Sequence, residues 1–361
     1  MEPASAEKRS MQLFDDAVEL LRQLIVTPSF SKEEEGTAGV IEDFFSARNI
    51  KSHRDQNNVW AFNKNFDKSK PSILLNSHHD TVKPNAGYSK NPFLPVTEGD
   101  KLFGLGSNDA GASLVALIAT FISFYEKENL NYNIVLAATA EEEISGKNGI
   151  ESVLPKLPKI DFAIVGEPTK MQMAVAEKGL LVLYCTAKGV AGHAARNEGD
   201  NAIYKAIKDI GWIKNYQFPK VSETLGAVKM SVTMIKAGTQ HNVVPATCEF
   251  TVDVRTTDAY TNEETLELLK QNLDSEVEVR STRLKPSSIA KDHVLVKAAT
   301  ALGIKTFGSP TLSDQAFIKA PSAKIGPGDS ARSHTADEYI GLSEIKEGIE
   351  IYQKLLQKIL T

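Results

Sequence analysis

Two kinds of apolar pattern alternate along the first half of the chain. Residues 72–75, 134–138 and 162–165 are short, almost wholly apolar runs, the pattern of strands covered on both faces. Residues 11–25 instead space Leu13, Val18, Leu21 and Leu24 around one helical face. Residues 114–125 read as a second, more apolar helix. Its apolar stretch, 114–124, is shorter than the ~20 residues a bilayer crossing needs, so it reads as a core element. Strands alternating with helices indicate an α/β layer around a largely parallel sheet.

The pattern changes after about Thr169. Residues 174–187, 228–235 and 248–255 read as strands, the last with Phe250, Val252 and Val254 on one face. Helical stretches at 202–212 and 263–273 are interspersed, and helical signals return at 292–302 and 343–360. The expected architecture is an α/β domain in two parts, 1–171 and 288–361, interrupted by a smaller α+β domain at 172–287. A chain of 361 residues is long enough for both.

Composition narrows the partners. With 42% apolar residues, 24% charged residues and a formal net charge of −5, the chain resembles ordinary globular proteins and lacks the basic stripe of a nucleic-acid binder. Cys185 and Cys248 make neither a disulfide framework nor a Cys-x-x-Cys metal pattern, which fits a reducing compartment. Residues 1–10 are polar, without the apolar stretch of a secretory signal. A cytoplasmic protein with no membrane and no nucleic-acid partner is expected.

Five clusters of acid and histidine follow, most of them placed directly after an apolar run, where open α/β sheets build their sites. In Ser77-His78-His79-Asp80, a neutral imidazole is followed two residues on by a carboxylate that can take its other ring N–H. In Gly104-Leu105-Gly106-Ser107-Asn108-Asp109, the aspartate either caps the next helix or bridges two metal ions. Glu141-Glu142-Glu143 is either a solvated acidic turn or a place where one carboxylate binds a cation while its neighbour accepts a proton from water. Glu167, in Val165-Gly166-Glu167-Pro168-Thr169, reads alone as a loop acid before proline. His334, in Ser333-His334-Thr335-Ala336-Asp337-Glu338-Tyr339, reads alone as part of a capped helix start. Together the clusters supply two histidines and three carboxylates without thiolate, a set that suits Zn²⁺, with Co²⁺ or Mn²⁺ as substitutes.

These segments resemble the family of acetylornithine deacetylase, succinyl-diaminopimelate desuccinylase, aminoacylase-1 and the related carboxypeptidases, over nearly the whole chain and most closely in its acetylornithine deacetylase branch. The resemblance implies a zinc-peptidase fold with an inserted dimerisation domain and two zinc ions per subunit. His78 and Glu167 would hold one ion, Glu143 and His334 the other, and Asp109 would bridge them. Asp80 would orient His78, and Glu142 would be the general base and acid. Lys188-Gly189-Val190-Ala191-Gly192-His193-Ala194-Ala195-Arg196 resembles the family's Gly-His segment, whose histidine, here His193, steadies the oxyanion in the partner subunit of a homodimer. His241-Asn242-Val243-Val244-Pro245 resembles its Asn-x-x-Pro loop, and Asp253-Val254-Arg255 the strand whose arginine holds a substrate carboxylate. Gly326-Pro327-Gly328 resembles a glycine loop offering N–H groups to substrate. Read alone, Arg255 is a surface ion pair and Asn242 a turn residue.

The chain departs from the family pattern at Ser77, where a glycine is usual, and at Leu105, where an arginine is usual. Ala110-Gly111-Ala112 replaces Met-Lys-Gly, and Glu141 replaces the aspartate of Asp-Glu-Glu. The ligands survive these changes, which bear on the acyl group and side chain accepted. The implied activity is hydrolysis of an N-acyl amino acid. N-acetylornithine, in arginine biosynthesis, comes first. N-acetylcitrulline, N-succinylornithine, N-succinylcitrulline and N-succinyl-diaminopimelate follow, then a dipeptidase or carboxypeptidase activity of the same family. A non-catalytic binding protein is the reading of a different class, and the presence of Glu142 beside all five ligands argues against it.

Overall fold

Alternation within the apolar runs sorts their side chains to two faces of one sheet. In the computed structural model, which describes residues 3–361, the strands are β1 (Ser52–Asp55), β2 (Asn58–Phe62), β3 (Ser72–His78), β4 (Asn133–Thr139), β5 (Phe162–Val165), β6 (Met173–Glu177) and β7 (Ser322–Lys324). They lie in the order β1-β2-β4-β3-β5-β7-β6. The four middle strands are parallel, and antiparallel strands flank them. Ile73, Leu75, Ile134, Leu136, Phe162 and Ile164 enter one core, beneath the helices Glu35–Ser46, Ala112–Phe124 and Leu342–Leu360. Leu74, Val135, Ala137, Ala163 and Val165 enter the other, with Trp60, Ile150 and Val153. Burial on both faces is what lets these strands be uniformly apolar. Residues Ser107–Phe124 are long and apolar enough to cross a membrane, but 83% of that stretch is buried in the protein, as expected of a core helix.

The chain divides into two compact units. One comprises the residues through Val175 with Ile289–Phe307 and Ser313–Thr361; the other comprises Ala176–Ser288 with Gly308–Leu312. The second unit has a four-stranded antiparallel sheet, in the order Lys229–Ala237, Thr247–Thr256, Gly179–Lys188, Glu276–Val279. Cys248, Phe250, Val252 and Val254 point into its core. The helices Ala202–Asn215 and Asn262–Asn272 start at side-chain caps, Asn201 and a Thr261/Glu264 capping box.

Several boundaries differ from the sequence reading. The single strand expected over 174–187 is broken at Lys178. A side chain at Gly179 would meet Thr256, Leu284 and Pro286 at under 3 Å, so the chain needs glycine there to pass. The helix expected from 292 starts at Val294, where the His293 side chain caps it. Met1 and Glu2, part of the polar start expected to carry no targeting signal, lie outside the described residues.

His79 follows β3 and is no ligand. Its Nε2 meets the Asn57 carbonyl at 2.8 Å and its Nδ1 meets Thr37 Oγ1 at 2.8 Å, an arrangement that needs one ring proton. Burial pushes its pKa down from 6.5 to about 4. Between those values the unfolded chain binds a proton that the folded chain refuses. The stabilisation from neutral His79 is therefore complete above the unfolded pKa and is lost as pH falls towards about 4. Metal-free wild type should lose about 3 kcal/mol more unfolding free energy than His79→Gln between about pH 7 and about pH 4. Urea titrations of both proteins read this; equal losses would show that His79 is not held neutral.

Candidate metal centre

Strand register carries the site. His78 is the last residue of β3 and lies level with Thr139 of β4, three residues before Glu142. Asn76 lies level with Val165 of β5, so two further residues bring Glu167 level with His78. Three of the acid and histidine groups thus leave the carboxyl ends of adjacent parallel strands. Asp109 comes from the turn before helix Ala112–Phe124, and His334 from a loop where it adopts a φ of +59°. Asp109 is not the cap of that helix: Gly111 is, with no side-chain bond. Nor does the His334 segment start a helix; it leads into the strand Tyr339–Gly341.

The five residues meet as two triads that share Asp109: His78, Asp109 and Glu167, and Asp109, Glu143 and His334. His78 Nε2 lies 3.4 Å from Asp109 Oδ1 and 3.8 Å from Glu167 Oε1. His334 Nε2 lies 3.7 Å from Asp109 Oδ2 and 2.9 Å from Glu143 Oε2. One oxygen of Asp109 therefore faces each histidine. Glu142 Oε2 lies 3.9 Å from His78 Nε2. Glu141 is turned away, with its carboxylate accepting from the Asn148 side chain at 2.9 Å.

Asp80 acts on two neighbours. His78 Nδ1 is 3.0 Å from the Asp80 carbonyl and 3.3 Å from its carboxylate, so the backbone carbonyl is the nearer partner of the ring. The carboxylate accepts the N–H groups of Glu142 and Glu143 at 3.0 and 3.2 Å and the Ser31 hydroxyl at 2.7 Å. It fixes the glutamate turn as well as facing the imidazole.

The electrostatics are those of crowded, buried acids. Burial, then Glu167, Glu143 and Asp314, raise the Glu142 carboxyl well above the ordinary range against the pull of His78. Burial, then Asp109 and Glu143, push Glu167 up to about 8, again opposed by His78. Glu143 is raised by burial and by Asp109. The hydrogen bond from His334 to Glu143 pushes that histidine up to about 9. His78 is raised well above 6.5: burial opposes this, and Asp109 and Asp80 overcome it.

The donor set fits divalent cations. His78 Nε2 is buried and has no hydrogen-bond partner, although acids surround it. Two ligands sharing one tetrahedral zinc stand ~3.4 Å apart, and the separations of 3.4 to 3.8 Å around His78 come near that spacing. Nitrogen and carboxylate oxygen without sulfur suit zinc, cobalt or manganese.

The remaining expected residues divide between the units. His193, Asn242 and Arg255 belong to the second. The first two segments pair there: Gly192 and His193 lie opposite Val244 and Val243, and the Ala194 N–H reaches the Asn242 carbonyl at 3.0 Å. The His193 ring is exposed and accepts the Ala195 N–H at 3.1 Å. Arg255 has its fork on Asp253, at 2.9 and 3.0 Å, the ion pair that was its simpler reading. In the first unit, Gly326 cannot offer its N–H to substrate, because Thr169 Oγ1 accepts it at 3.0 Å. A side chain at Gly326 would meet the Glu167 backbone, and one at Gly328 would meet Asn108. Both glycines let the loop lie close against ligand-bearing segments.

Two buried acids escaped the sequence reading. Asp314 accepts from Thr139 Oγ1 at 2.7 Å, and burial pushes it up to about 6; no motif marks it. Glu338 accepts three N–H groups of the Asp109 turn. Its signal was its place four residues after His334, within a segment already singled out.

The chain has relatives among known proteins. Succinyl-diaminopimelate desuccinylases of Parvibaculum lavamentivorans and Beijerinckia indica are 26% and 27% identical to this chain. They cover 98% and 95% of it with 97% and 98% of their own length. Aminopeptidase PepT of Bacillus cereus superposes with a TM-score of 0.78 at 18% identity, over 96% of this chain and 98% of its own. The YXEP protein of Bacillus subtilis, described as a dinuclear metal binding peptidase of the M20 family, superposes with a TM-score of 0.72 at 16% identity, over 96% and 98%. Likeness at such identities is likeness of fold. Peptidase family M20/M25/M40 matches residues 74–358. The chain belongs to that family and is a metal-dependent hydrolase.

Proposed function

We propose that this chain is a two-metal amidohydrolase that removes the acyl group from the α-nitrogen of a small amino acid. The observation that carries the reading is Asp109, whose two oxygens face the histidines of two separate triads. His78, Asp109 and Glu167 would hold one zinc ion, and Asp109, Glu143 and His334 the other. Bound there, the ions supply Lewis acidity to the scissile carbonyl and to the attacking water. Glu142 is needed by neither triad, yet stands beside both. Its burial-raised pKa suits a group that takes a proton from water and returns it to the departing amine. Asp80 holds Glu142 in place through the backbone N–H. Arg255 is assigned the α-carboxylate of the substrate through the guanidinium N–H groups that do not go to Asp253, and Asn242 is assigned a further substrate contact.

N-succinyl-diaminopimelate joins N-acetylornithine as a first substrate, because the curated relatives carry the desuccinylase name. We assign a homodimer with His193 completing the partner's site. Lys229–Ala237 is an edge strand of the second unit's sheet, and it exposes Met234 (68%) and Ile235 (57%). Pairing that edge with its copy would cover both the open backbone and the apolar side chains. Two free, buried cysteines suit the cytoplasm.

Zinc-loaded enzyme should release succinate or acetate from a panel of N-acyl amino acids. Glu142→Ala should keep its metal and lose about 10²–10⁴ in turnover, whereas Glu143→Ala should lose metal affinity. Metal analysis beside turnover reads both. Wild-type metal content in Glu143→Ala with depleted metal in Glu142→Ala would reverse the two roles, and an inert wild type across the panel would sink the reading.

Mixing His193→Ala with Glu142→Ala tests the trans role. A hybrid dimer then has one site with both residues intact, so activity should partly return once subunit exchange is shown. Activity staying at background after exchange would place His193 in its own subunit's site.

A further inference from the structure

Glu338 belongs to neither triad, and its side chain is only 2% exposed. Its carboxylate is nevertheless fully engaged. One oxygen accepts the N–H groups of Asn108 and Asp109 at 2.8 and 2.9 Å, and the other accepts that of Gly106 at 3.0 Å. Its main-chain carbonyl accepts the Gly104 N–H at 3.0 Å. Strand register explains the meeting: Tyr339 lies opposite Phe103 and Ile340 opposite Leu102, which brings the preceding residue, Glu338, to the turn that follows Phe103.

The turn is also held by the Leu105 N–H on the Pro92 carbonyl at 2.8 Å and by the Asn108 side chain on the Asp329 backbone at 3.1 and 3.0 Å, while the N–H groups of Gly106, Asn108 and Asp109 themselves go to Glu338. Gly104 and Gly106 have φ of +156° and +74°, and Asp109 departs from helical geometry at φ −117°, ψ 100°. The other side of the Glu338 segment is anchored too. Asp337 accepts the N–H groups of Ser89 and Lys90 at 2.9 Å, and the Asn85 side chain donates to the His334 carbonyl at 3.2 Å. Glu338 therefore joins the anchored His334 loop to the turn that presents Asp109.

We infer that Glu338 is a positioning residue for the second metal site, setting Asp109 against His334 by gathering the N–H groups of the Asp109 turn. The first site is less dependent on it, since His78 and Glu167 are aligned by the pairing of β3 with β5. The inference rests on the two-metal reading above. A glutamine at 338 keeps the shape but turns an NH₂ group towards N–H donors, so one or more of the three bonds is lost.

The test uses full-length protein stripped of metal and titrated with Co²⁺, followed by calorimetry and visible absorption. Wild type should show two binding steps. In Glu338→Gln the second should weaken about 10–100-fold, the usual effect of removing an outer partner of a metal ligand, while the first moves by less than about threefold. Glu338→Asp, which keeps an acceptor on a shorter stem, should recover part of the loss. Ile340→Val, a small cavity in the adjoining strand, should leave both steps unchanged, which separates positioning from general loosening. Melting of each metal-free variant checks the fold. Equal weakening of both steps, no weakening in Glu338→Gln, or the same pattern in Ile340→Val would overturn the assignment while leaving the two-metal reading in place. A single step in wild type would overturn both.

Discussion

Like-charge crowding at the carboxyl ends of β3, β4 and β5 is the constraint on which the rest of this structure depends. Asp109, Glu142 and Glu167 converge on His78, which is buried together with Asp80, and Glu143 joins Asp109 at His334. In a site of low effective dielectric, these acids cannot all ionise side by side. The metal-free protein answers with protons, holding Glu167 and Glu142 neutral well above their ordinary range. Divalent cations answer better, because they remove the repulsion and use the same groups as ligands.

A second constraint follows, since candidate ligands on turns must be placed as accurately as those on strands. One device serves twice. A buried carboxylate gathers the N–H groups of an irregular turn: Asp80 does so for Glu142 and Glu143, and Glu338 for Gly106, Asn108 and Asp109. Neighbouring N–H groups that no helix or sheet employs find their acceptor there. These turns thus carry unusual backbone, with φ of +55° at Glu141 and +74° at Gly106, while the N–H groups of Gly106, Asn108, Asp109, Glu142 and Glu143 keep an acceptor.

The sheet was largely legible because its period is simple. Runs such as 162–165 coincide with their strand, and 134–138 falls one residue short at each end of β4. Helix Glu35–Ser46 was passed over although Thr37, Ala38, Ile41 and Phe45 form its buried stripe; its mixed polarity hid the repeat. The strand break at Lys178 was invisible because it is set by chain passing close to Gly179. At the site, the acid and histidine types and their order could be read from the sequence, and the structure gathers His78, Asp109, Glu143, Glu167 and His334. What could not be read was which groups already had partners. Arg255 lies on Asp253, Gly326 looked like a donor and is engaged by Thr169, and Glu338, given no role of its own, is buried on the N–H groups of the Asp109 turn.

The central claim is that cations replace protons among these acids, and proton release on metal binding measures it most directly. Zinc titrations of the metal-free protein near neutral pH, in buffers of unequal ionisation enthalpy, count the protons displaced. With His334 held up to about 9, Glu167 up to about 8 and His78 well above its usual value, loading should expel protons in every buffer, and the heat should shift with buffer enthalpy. A binding heat independent of buffer would mean that the acids were already ionised without metal, and would contradict the account.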